Sequence, residues 1–366
     1  MKTAPLNTSV QMLFALLRAS LHEREVELAF FQGASTDDWK QCYRLAASQG
    51  VMALAWDGVM KLPAVLQPPR AVKVLWATGV ETYEKKYWRY CSTLDEVSRF
   101  YAEHGIATMQ LKGVGFSTLY PVPCHREGGD IDIYTYSADK NRMSDKEANR
   151  LADTLMQEQG IEVDTEHSPK HSNFYYKGIP FENHKTFLNV ETFKVAVQVD
   201  RILHENMSPA LVSLTVGEVM IPSPLFNSLF IAFHALQHYG SGLALHHLCD
   251  WAMILRRYGL QIPEEIKDEK LLTGFAALTR LCNQYLGTSQ AIEGGESIAD
   301  EMMQEILYPR YSPEVPTCNK LGILVYKTKR MFHRLRLNNK VLDSSLAEYI
   351  WRSILRHVCY PETIFH

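Results

Sequence analysis

The chain has 366 residues, of which 46% are hydrophobic and 22% charged, and such a chain can bury a core without disulfides. Its formal net charge of −3 excludes the broad basic surface typical of a DNA-binding protein. The seven cysteines are scattered, without a CxxC pair, which predicts reduced thiols. Because no signal-peptide pattern and no membrane-length apolar run is present, we expect a cytoplasmic protein that does not associate with membranes.

Residues 1–100 have the patterns of helices. Apolar residues recur at helical spacing in VQMLFALLRASL (10–21), and STDDWKQCYRLAASQGV (35–51) begins with a Ser/Thr cap followed by acidic residues. The stretch 71–105 has the amphipathic pattern of one long helix, which we expect to be broken or bent near Gly79. We therefore predict a helical N-terminal region over residues 1–100.

From Ile106 onward, short strand patterns appear. IATMQL (106–111) is apolar, and GGDIDIYTY (128–136) alternates with the period of a strand. The stretch 145–160 predicts a helix, and strands are predicted in IEVD (161–164), NFYYKGIPFENH (173–184) and FKVAVQVD (193–200). This order predicts an α/β or α+β unit over residues 101–205.

The remainder, residues 206–366, is predicted to be a helical C-terminal domain. Helices with plausible ends are SPLFNSLFIAFHALQHYG (223–240), LALHHLCDWAMILRRYG (243–259) and DEKLLTGFAALTRLCNQYLG (268–287). A basic helix follows in YKTKRMFHRLRLNNK (326–340). Its positive charges spread around the helix, which favours a solvated face over a binding surface for an acidic or RNA partner.

Asp130 and Asp132 are separated by one residue in a predicted strand. Their side chains then leave the same face, with Cβ atoms roughly 6–7 Å apart. Repulsion would raise one pKa unless a cation lies between them. Mg²⁺ (or Mn²⁺) would resolve this conflict, and two-metal sites stabilise the oxygens of an in-line phosphoryl displacement. The pair therefore favours phosphoryl or nucleotidyl transfer; a Ca²⁺ loop, a sugar-nucleotide glycosyltransferase and a solvated strand face are the alternatives.

Upstream, MQLKGVGFSTLY (109–120) reads as a strand, a glycine turn and the start of a helix. Free N–H groups at a helix start attract anions. Gly113 and Gly115 permit a tight backbone, and Lys112 or Ser117 could reach a phosphate.

The combined pattern LKGVGFSTLYP…HREGGDIDIY resembles the DNA-polymerase-β-like nucleotidyltransferase superfamily, and within it a group of uncharacterised bacterial nucleotidyltransferases. The resemblance covers roughly residues 95–260, and the superfamily's Gly-Gly or Gly-Ser turn is Lys-Gly here. The matching residues are Leu111, Lys112, Gly113, Tyr120, Pro121, Arg126, Asp130 and Asp132. The resemblance implies an α+β fold: a nucleotidyltransferase-type mixed sheet with helices, flanked by N-terminal and C-terminal helical regions.

The resemblance also implies a third carboxylate on a later strand. Glu182 is preferred because the segment ENH matches the group's Glu-x-His, with His184, and Asp200 is the second candidate. Asp130, Asp132 and Glu182 would then hold two metals, with Glu182 either completing a metal shell or accepting the acceptor's proton. Lys112 and Arg126 would contact phosphate. The implied substrates are an NTP, with ATP preferred, and an unidentified acceptor, which could be a protein, an RNA or a small molecule.

Histidines offer a competing hypothesis. His234 and His238 share a helix face, and His246, His247 and Asp250 follow. A zinc site is possible in principle, although HALQH lacks the glutamate of HExxH.

We expect instead that these histidines pack between helices or, with His184 and Asp250, line the acceptor side of a nucleotide cleft. Asp250 lies in an apolar helix and needs a partner, for which a histidine is expected. A protein that binds nucleotide or another partner on the same fold, without turnover, is the alternative to an enzyme.

Overall fold

In the computed structural model, the protein is described over residues 6–214, 216–311 and 320–343. The helices are α1 (Thr8–Leu21), α2 (Thr36–Ser48), α3 (Met52–Lys61), α4 (Arg70–Glu103), α5 (Val114–Ser117), α6 (Asp145–Glu158), α7 (Lys194–Glu205), α8 (Pro224–His238), α9 (Leu245–Tyr258), α10 (Glu269–Leu281), α11 (Glu296–Leu307) and α12 (Lys320–Val341). The strands are β1 (Ile106–Gln110), β2 (Ile131–Ser137), β3 (Val163–Asp164), β4 (His171–Tyr176), β5 (Ile179–His184), β6 (Ala210–Ser213) and β7 (Glu218–Ile221).

The strands form one mixed sheet in the order β3-β4-β5-β2-β1-β7-β6. Strand β2 is antiparallel to β1 and parallel to β5. Its Ile131 and Ile133 are fully buried, so the alternating side chains of β2 include an apolar set that fixes the strand in the core. These features confirm the predicted α+β fold, with helical regions N-terminal and C-terminal to the sheet in the chain.

The sheet extends further along the chain than the sequence indicated. Strands β6 and β7 follow residue 205, where only helices were predicted, and β7 pairs with β1 in parallel. The prediction that residues 206–366 are purely helical is therefore wrong at its beginning. The three-part domain division itself stays a prediction.

The N-terminal and C-terminal helices share one apolar core. Buried residues from Val10 in α1 to Leu342, just after α12, belong to a single cluster. A second cluster lies between α4, α6 and the sheet. Helix α4 contributes to both clusters, and therefore connects the sheet to the surrounding helices.

The predicted strand FKVAVQVD is wrong, because these residues begin α7. The buried apolar residues of α7 are Val195, Ala196, Val199, Ile202 and Leu203, a spacing that gives one face of a helix rather than one face of a strand. The β-branched valines favour a strand locally, but packing of this apolar face overrides the local preference.

The predicted break in the long helix is also wrong, since α4 runs through Gly79. A Cβ atom added at Gly79 would lie 2.7 Å from Cε of Met52 in α3. The glycine therefore allows two helices to approach closely and does not end the helix.

Five free cysteines lie within the described residues, namely Cys42, Cys91, Cys124, Cys249 and Cys282. Cys318 and Cys359 lie outside the described residues. Among the described helices, none combines the length and the apolarity needed to cross a membrane.

Candidate active site

Three acidic residues meet where β2 and β5 run side by side. Asp132 on β2 is in register with Glu182 on β5, and Asp130 directly precedes β2. Residues in register on neighbouring strands leave the same face of a sheet. The structure therefore brings together Asp130, Asp132 and Glu182, which we call the carboxylate cluster.

Asp200 lies elsewhere, on α7. Its Oδ1 accepts a hydrogen bond from the Leu188 N–H at 2.9 Å, and its Oδ2 lies 3.4 Å from Nε2 of His204. It ties the segment after β5 to α7. Glu182 is thus the candidate that neighbours Asp132.

A lysine lies between the two aspartates. Nζ of Lys112 is 3.1 Å from Oδ2 of Asp132 and 3.5 Å from Oδ1 of Asp130. Burial alone would raise the pKa of Asp132, but Lys112 and His184 hold it well below its usual range. Burial and the neighbouring Asp132 raise the pKa of Asp130. The two aspartates therefore have opposite pKa shifts, because Asp132 is closer to positive charge.

Sequence reasoning missed a second lysine at this cluster. Lys170 precedes β4, is half-buried, and interacts electrostatically with Asp132 and Glu182. The signal that could have found it is the segment KHS (170–172), whose strand pairs antiparallel with the Glu-x-His strand.

Two members of the carboxylate cluster, together with His184, form a set that fits a divalent metal. Ligand atoms of Asp132, Glu182 and His184 all lie within 4.8 Å of one another. Among the described residues, Oδ2 of Asp132 is buried and has no hydrogen bond of good geometry, but Nζ of Lys112 lies 3.1 Å from it. Lys112 therefore supplies part of the positive charge that these carboxylates need, and a divalent ion would supply more.

The turn before α5 has the predicted tight backbone. Gly113 has a φ of 81°, which favours glycine. A Cβ atom on Gly115 would lie 2.7 Å from Cγ2 of Ile221, so Gly115 lets α5 pack against β7. Ser117 is buried, and its hydroxyl donates to the carbonyl of Val114. The structure therefore does not bring the Ser117 hydroxyl to a phosphate site.

An open cleft of about 350 Å³ borders this turn. It is lined by Tyr83, Lys86, Tyr87, Tyr90, Gly113, Val114, Arg126, Gly128 and Asp130. The first four are on one face of α4, at helical spacing. The sequence analysis did not identify these four residues as lining a cleft, although YEKKYWRY (83–90) contains their helical spacing.

The same face of α4 holds the segment that precedes Asp130. The Tyr83 hydroxyl donates to Oε1 of Glu127 at 2.7 Å. Nζ of Lys86 donates to the carbonyl of Gly128 at 2.6 Å, and the Tyr90 hydroxyl donates to the carbonyl of Gly129 at 3.0 Å. Helix α4 therefore holds residues 127–129, which lead into Asp130 and β2, in position.

Arg126 is committed to a buried ion pair. Its Nε and Nη2 donate to the two oxygens of Asp250 at 2.9 and 2.7 Å, and the Tyr120 hydroxyl donates to Oδ1 of Asp250 at 2.6 Å. The expected histidine partner of Asp250 is therefore wrong. Nη1 of Arg126 reaches the carbonyl of Gly113 at 3.4 Å, so the guanidinium supports the turn while its charge is balanced by Asp250.

His234, His238 and His247, which we call the imidazole cluster, come together between α8 and α9. Their candidate ligand nitrogens lie within 4.8 Å of one another. Burial first, and Lys112 second, lower the pKa of His238 to about 4. Burial likewise lowers the pKa values of His234 and His247 well below their usual range. The three rings are therefore neutral at pH 7.

A hydrogen bond weighs against the competing hypothesis of a zinc site at these histidines. The Ala244 N–H donates to Nδ1 of His247 at 3.1 Å. Neutral imidazole then carries its proton on Nε2, which leaves no lone pair there for a metal.

His184 lies beside the carboxylate cluster, with its Nε2 3.0 Å from Oδ1 of Asp132. Its ring lies 6.4 Å from that of Phe230, which in turn is stacked 6.3 Å from the ring of His234. Phe230 thus lies between His184 and the imidazole cluster.

A mixed sheet with three carboxylates beside a glycine turn agrees with the class of enzyme that the sequence resembles. The sequence model of the family described as "Uncharacterised nucleotidyltransferase" matches residues 35–287. The match covers more than half of the chain, so the chain belongs to this family.

The chain is similar to a solved structure, that of an antigenic nucleotidyltransferase-like protein from Paracoccidioides brasiliensis. The identity is 13% and the TM-score 0.36, over 55% of this chain and 94% of that chain. None of the curated proteins compared with the chain matches it.

Proposed function

We propose that this protein transfers a nucleoside monophosphate from an NTP, with ATP as the expected donor, to a hydroxyl group of an acceptor. The observation that carries the proposal is the register of Asp132 with Glu182, beside Asp130. This register concentrates three carboxylates on one rigid sheet face, and rigid positioning is what phosphoryl-transfer chemistry requires of a protein.

Asp130, Asp132 and Glu182 would hold Mg²⁺ or Mn²⁺. When bound, such ions neutralise charge on the triphosphate and on the leaving pyrophosphate. The acceptor oxygen forms a bond to the α-phosphorus, and the bond from that phosphorus to the bridging oxygen of pyrophosphate breaks. The proton of the acceptor hydroxyl would pass to Glu182 or, where Glu182 completes a metal shell, to water. Burial raises the pKa of Glu182, but the hydrogen bond with His184 lowers it below its usual value, which keeps this carboxylate ionised.

Lys112 and Lys170 supply positive charge for the triphosphate beside the Gly113 turn. The Arg126–Asp250 pair supports that turn and is assigned a positioning role. Besides burial, the charge of Lys112 lowers the pKa values of His234 and His238. This interaction with Lys112 supports a place for the two histidines on the acceptor side. The acceptor's chemical class and the cytoplasmic location stay predictions.

The experiment is transfer of label from the four α-labelled NTPs to components of a cell extract. Wild-type protein should label a discrete species and release pyrophosphate, and the double variant Asp130→Asn/Asp132→Asn should not. Equal labelling by the double variant would overturn the mechanism.

A protein that binds nucleotide without turnover is the second candidate. It is supported by the position of Lys112, whose Nζ already balances both aspartates. Stoichiometric NTP binding without pyrophosphate release, over a full panel of extracts and metals, would favour this candidate.

A further inference from the structure

His184 is the last residue of β5, two positions after Glu182. Side chains at this spacing leave the same face of a strand. The ring of His184 has no exposed surface, so each of its nitrogens has to find its partner inside the protein.

Both nitrogens of His184 face oxygen atoms. Nδ1 lies 3.2 Å from the carbonyl of Thr186, which can only accept, so Nδ1 carries a proton. Nε2 lies 3.0 Å from Oδ1 of Asp132 and 3.7 Å from Oε2 of Glu182. A neutral ring would then direct its Nε2 lone pair at two carboxylates. This arrangement is favourable only when a proton or a metal ion lies between them.

We propose that Nε2 of His184 is a metal ligand together with Asp132 and Glu182, and that this set selects a first-row transition ion such as Mn²⁺ over Mg²⁺. The inference rests on the proposed function, because it concerns the metal of the same site. The Nδ1–H bond to Thr186 is the outer contact that orients metal-binding histidines in proteins.

The metal preference follows from the ligand chemistry. Mg²⁺ takes oxygen ligands and binds few side chains directly. Imidazole suits first-row transition ions, and Mn²⁺ also accepts carboxylates. One imidazole among two carboxylates therefore favours Mn²⁺, whereas a site made of carboxylates alone would serve Mg²⁺.

His171 provides a matched control. It is on β4, in register with His184, and its ring lies 5.5 Å from that of His184. Its Nε2 lies 3.5 Å from Oε2 of Glu182, but His171 is outside the set whose ligand atoms cluster. A histidine that merely lies near the metal would behave like His171.

The test is pulsed electron paramagnetic resonance of the full chain loaded with Mn²⁺, combined with Mn²⁺ and Mg²⁺ titrations. Wild type should show nitrogen coupling from directly bound imidazole, and the coupling pattern should change when histidine is labelled with a different nitrogen isotope. The coupling should disappear in His184→Gln and remain in His171→Gln. His184→Gln should weaken Mn²⁺ binding about tenfold or more and change Mg²⁺ binding far less.

Three results would overturn the proposal, and they separate it from the proposed function. Mn²⁺ binding that depends on Asp132 but shows no histidine coupling in wild type would remove His184 from the ligands and leave the enzyme proposal intact. Equal loss of the nitrogen coupling in His171→Gln would show that the assignment of His184 as the ligand is wrong. Absence of divalent-metal binding, with and without NTP, would overturn both proposals. Even if a variant fails to fold, absence of isotope-sensitive nitrogen coupling in the wild type would overturn the proposal.

Discussion

The carboxylate cluster and the imidazole cluster both border Lys112, yet they respond to it in opposite ways. Lys112 lowers the pKa of Asp132 and thereby favours the charged carboxylate. It also lowers the pKa values of His234 and His238, and thereby favours neutral rings. Burial acts on both clusters, so the difference shows that the sign of the side chain's own charge decides which form a shared cation stabilises.

The largest expected effect is on turnover. Asp130→Asn/Asp132→Asn should lower nucleotidyl transfer about a thousandfold or more, because the charge that would hold metal and triphosphate is removed. His238→Gln, an equally small change in the imidazole cluster, should cost less than about tenfold. Initial rates of pyrophosphate release measure both. Similar losses in the two variants would break the functional distinction between the clusters.

The next largest effect is expected on the stability of the fold, through the buried Arg126–Asp250 pair. Arg126→Met should lower the free energy of unfolding by about 3–5 kcal/mol, because Asp250 on α9 would be left buried without its cation. Arg336→Met is the control, since the Arg336–Glu301 pair is about half exposed on the arginine side at 52%, and it should cost at most about 1 kcal/mol. Denaturant unfolding gives both values, and equal costs would contradict the structural role of Arg126.

Another histidine, His125, tests whether charged partners can reverse the effect of burial. Burial alone would lower the pKa of His125, but hydrogen bonds to Asp57 and Glu84 raise it to about 10. Since this value lies above the unfolded value of about 6.5, the stabilisation is complete below pH of about 6.5 and is lost as the pH rises toward 10.

His125→Gln should therefore remove about 1–2 kcal/mol at pH 6 and progressively less at higher pH. Urea unfolding at several pH values checks this expectation. A cost that stays constant from pH 6 to 10 would show that His125 contributes packing and no charge.

The smallest effect is expected on the stability of the fold at acidic pH. The pKa of His238 is lowered to about 4, below its unfolded value, so its neutral state supports the fold above pH of about 6.5, and this support is lost as the pH falls toward 4. His238→Gln should flatten that part of the stability profile by about 1 kcal/mol. An unchanged slope between pH 6.5 and 4 would place the acid sensitivity in other groups.

The sequence predicted elements whose local pattern and packing agree. The strand period of β2, the β4–β5 segment and the capped helices α6 and α8 were all confirmed. Prediction failed where local preference and tertiary packing differ: in the valine-rich start of α7 and at Gly79, where a glycine serves close helix packing.

The candidate site could be predicted in part, because some of its residues lie close together in the chain. Asp130 and Asp132 are neighbours in the chain, so their proximity follows from strand geometry alone. Lys170, the tyrosines of α4 and the partner of Asp250 come from segments far apart in sequence. Their roles depend on which helices and strands pack together, and local sequence patterns do not predict those tertiary contacts.

By itself, the sequence determined the aspartate pair, the glycine turn and the family resemblance, because each depends on short-range spacing, and the resemblance in turn implied the α+β class. Only the tertiary structure decided that Glu182 and not Asp200 lies beside Asp132, that Arg126 is paired with Asp250, and that His184 faces the carboxylates. Those outcomes depend on strand register and helix docking, which are set by the burial of apolar faces across the whole chain.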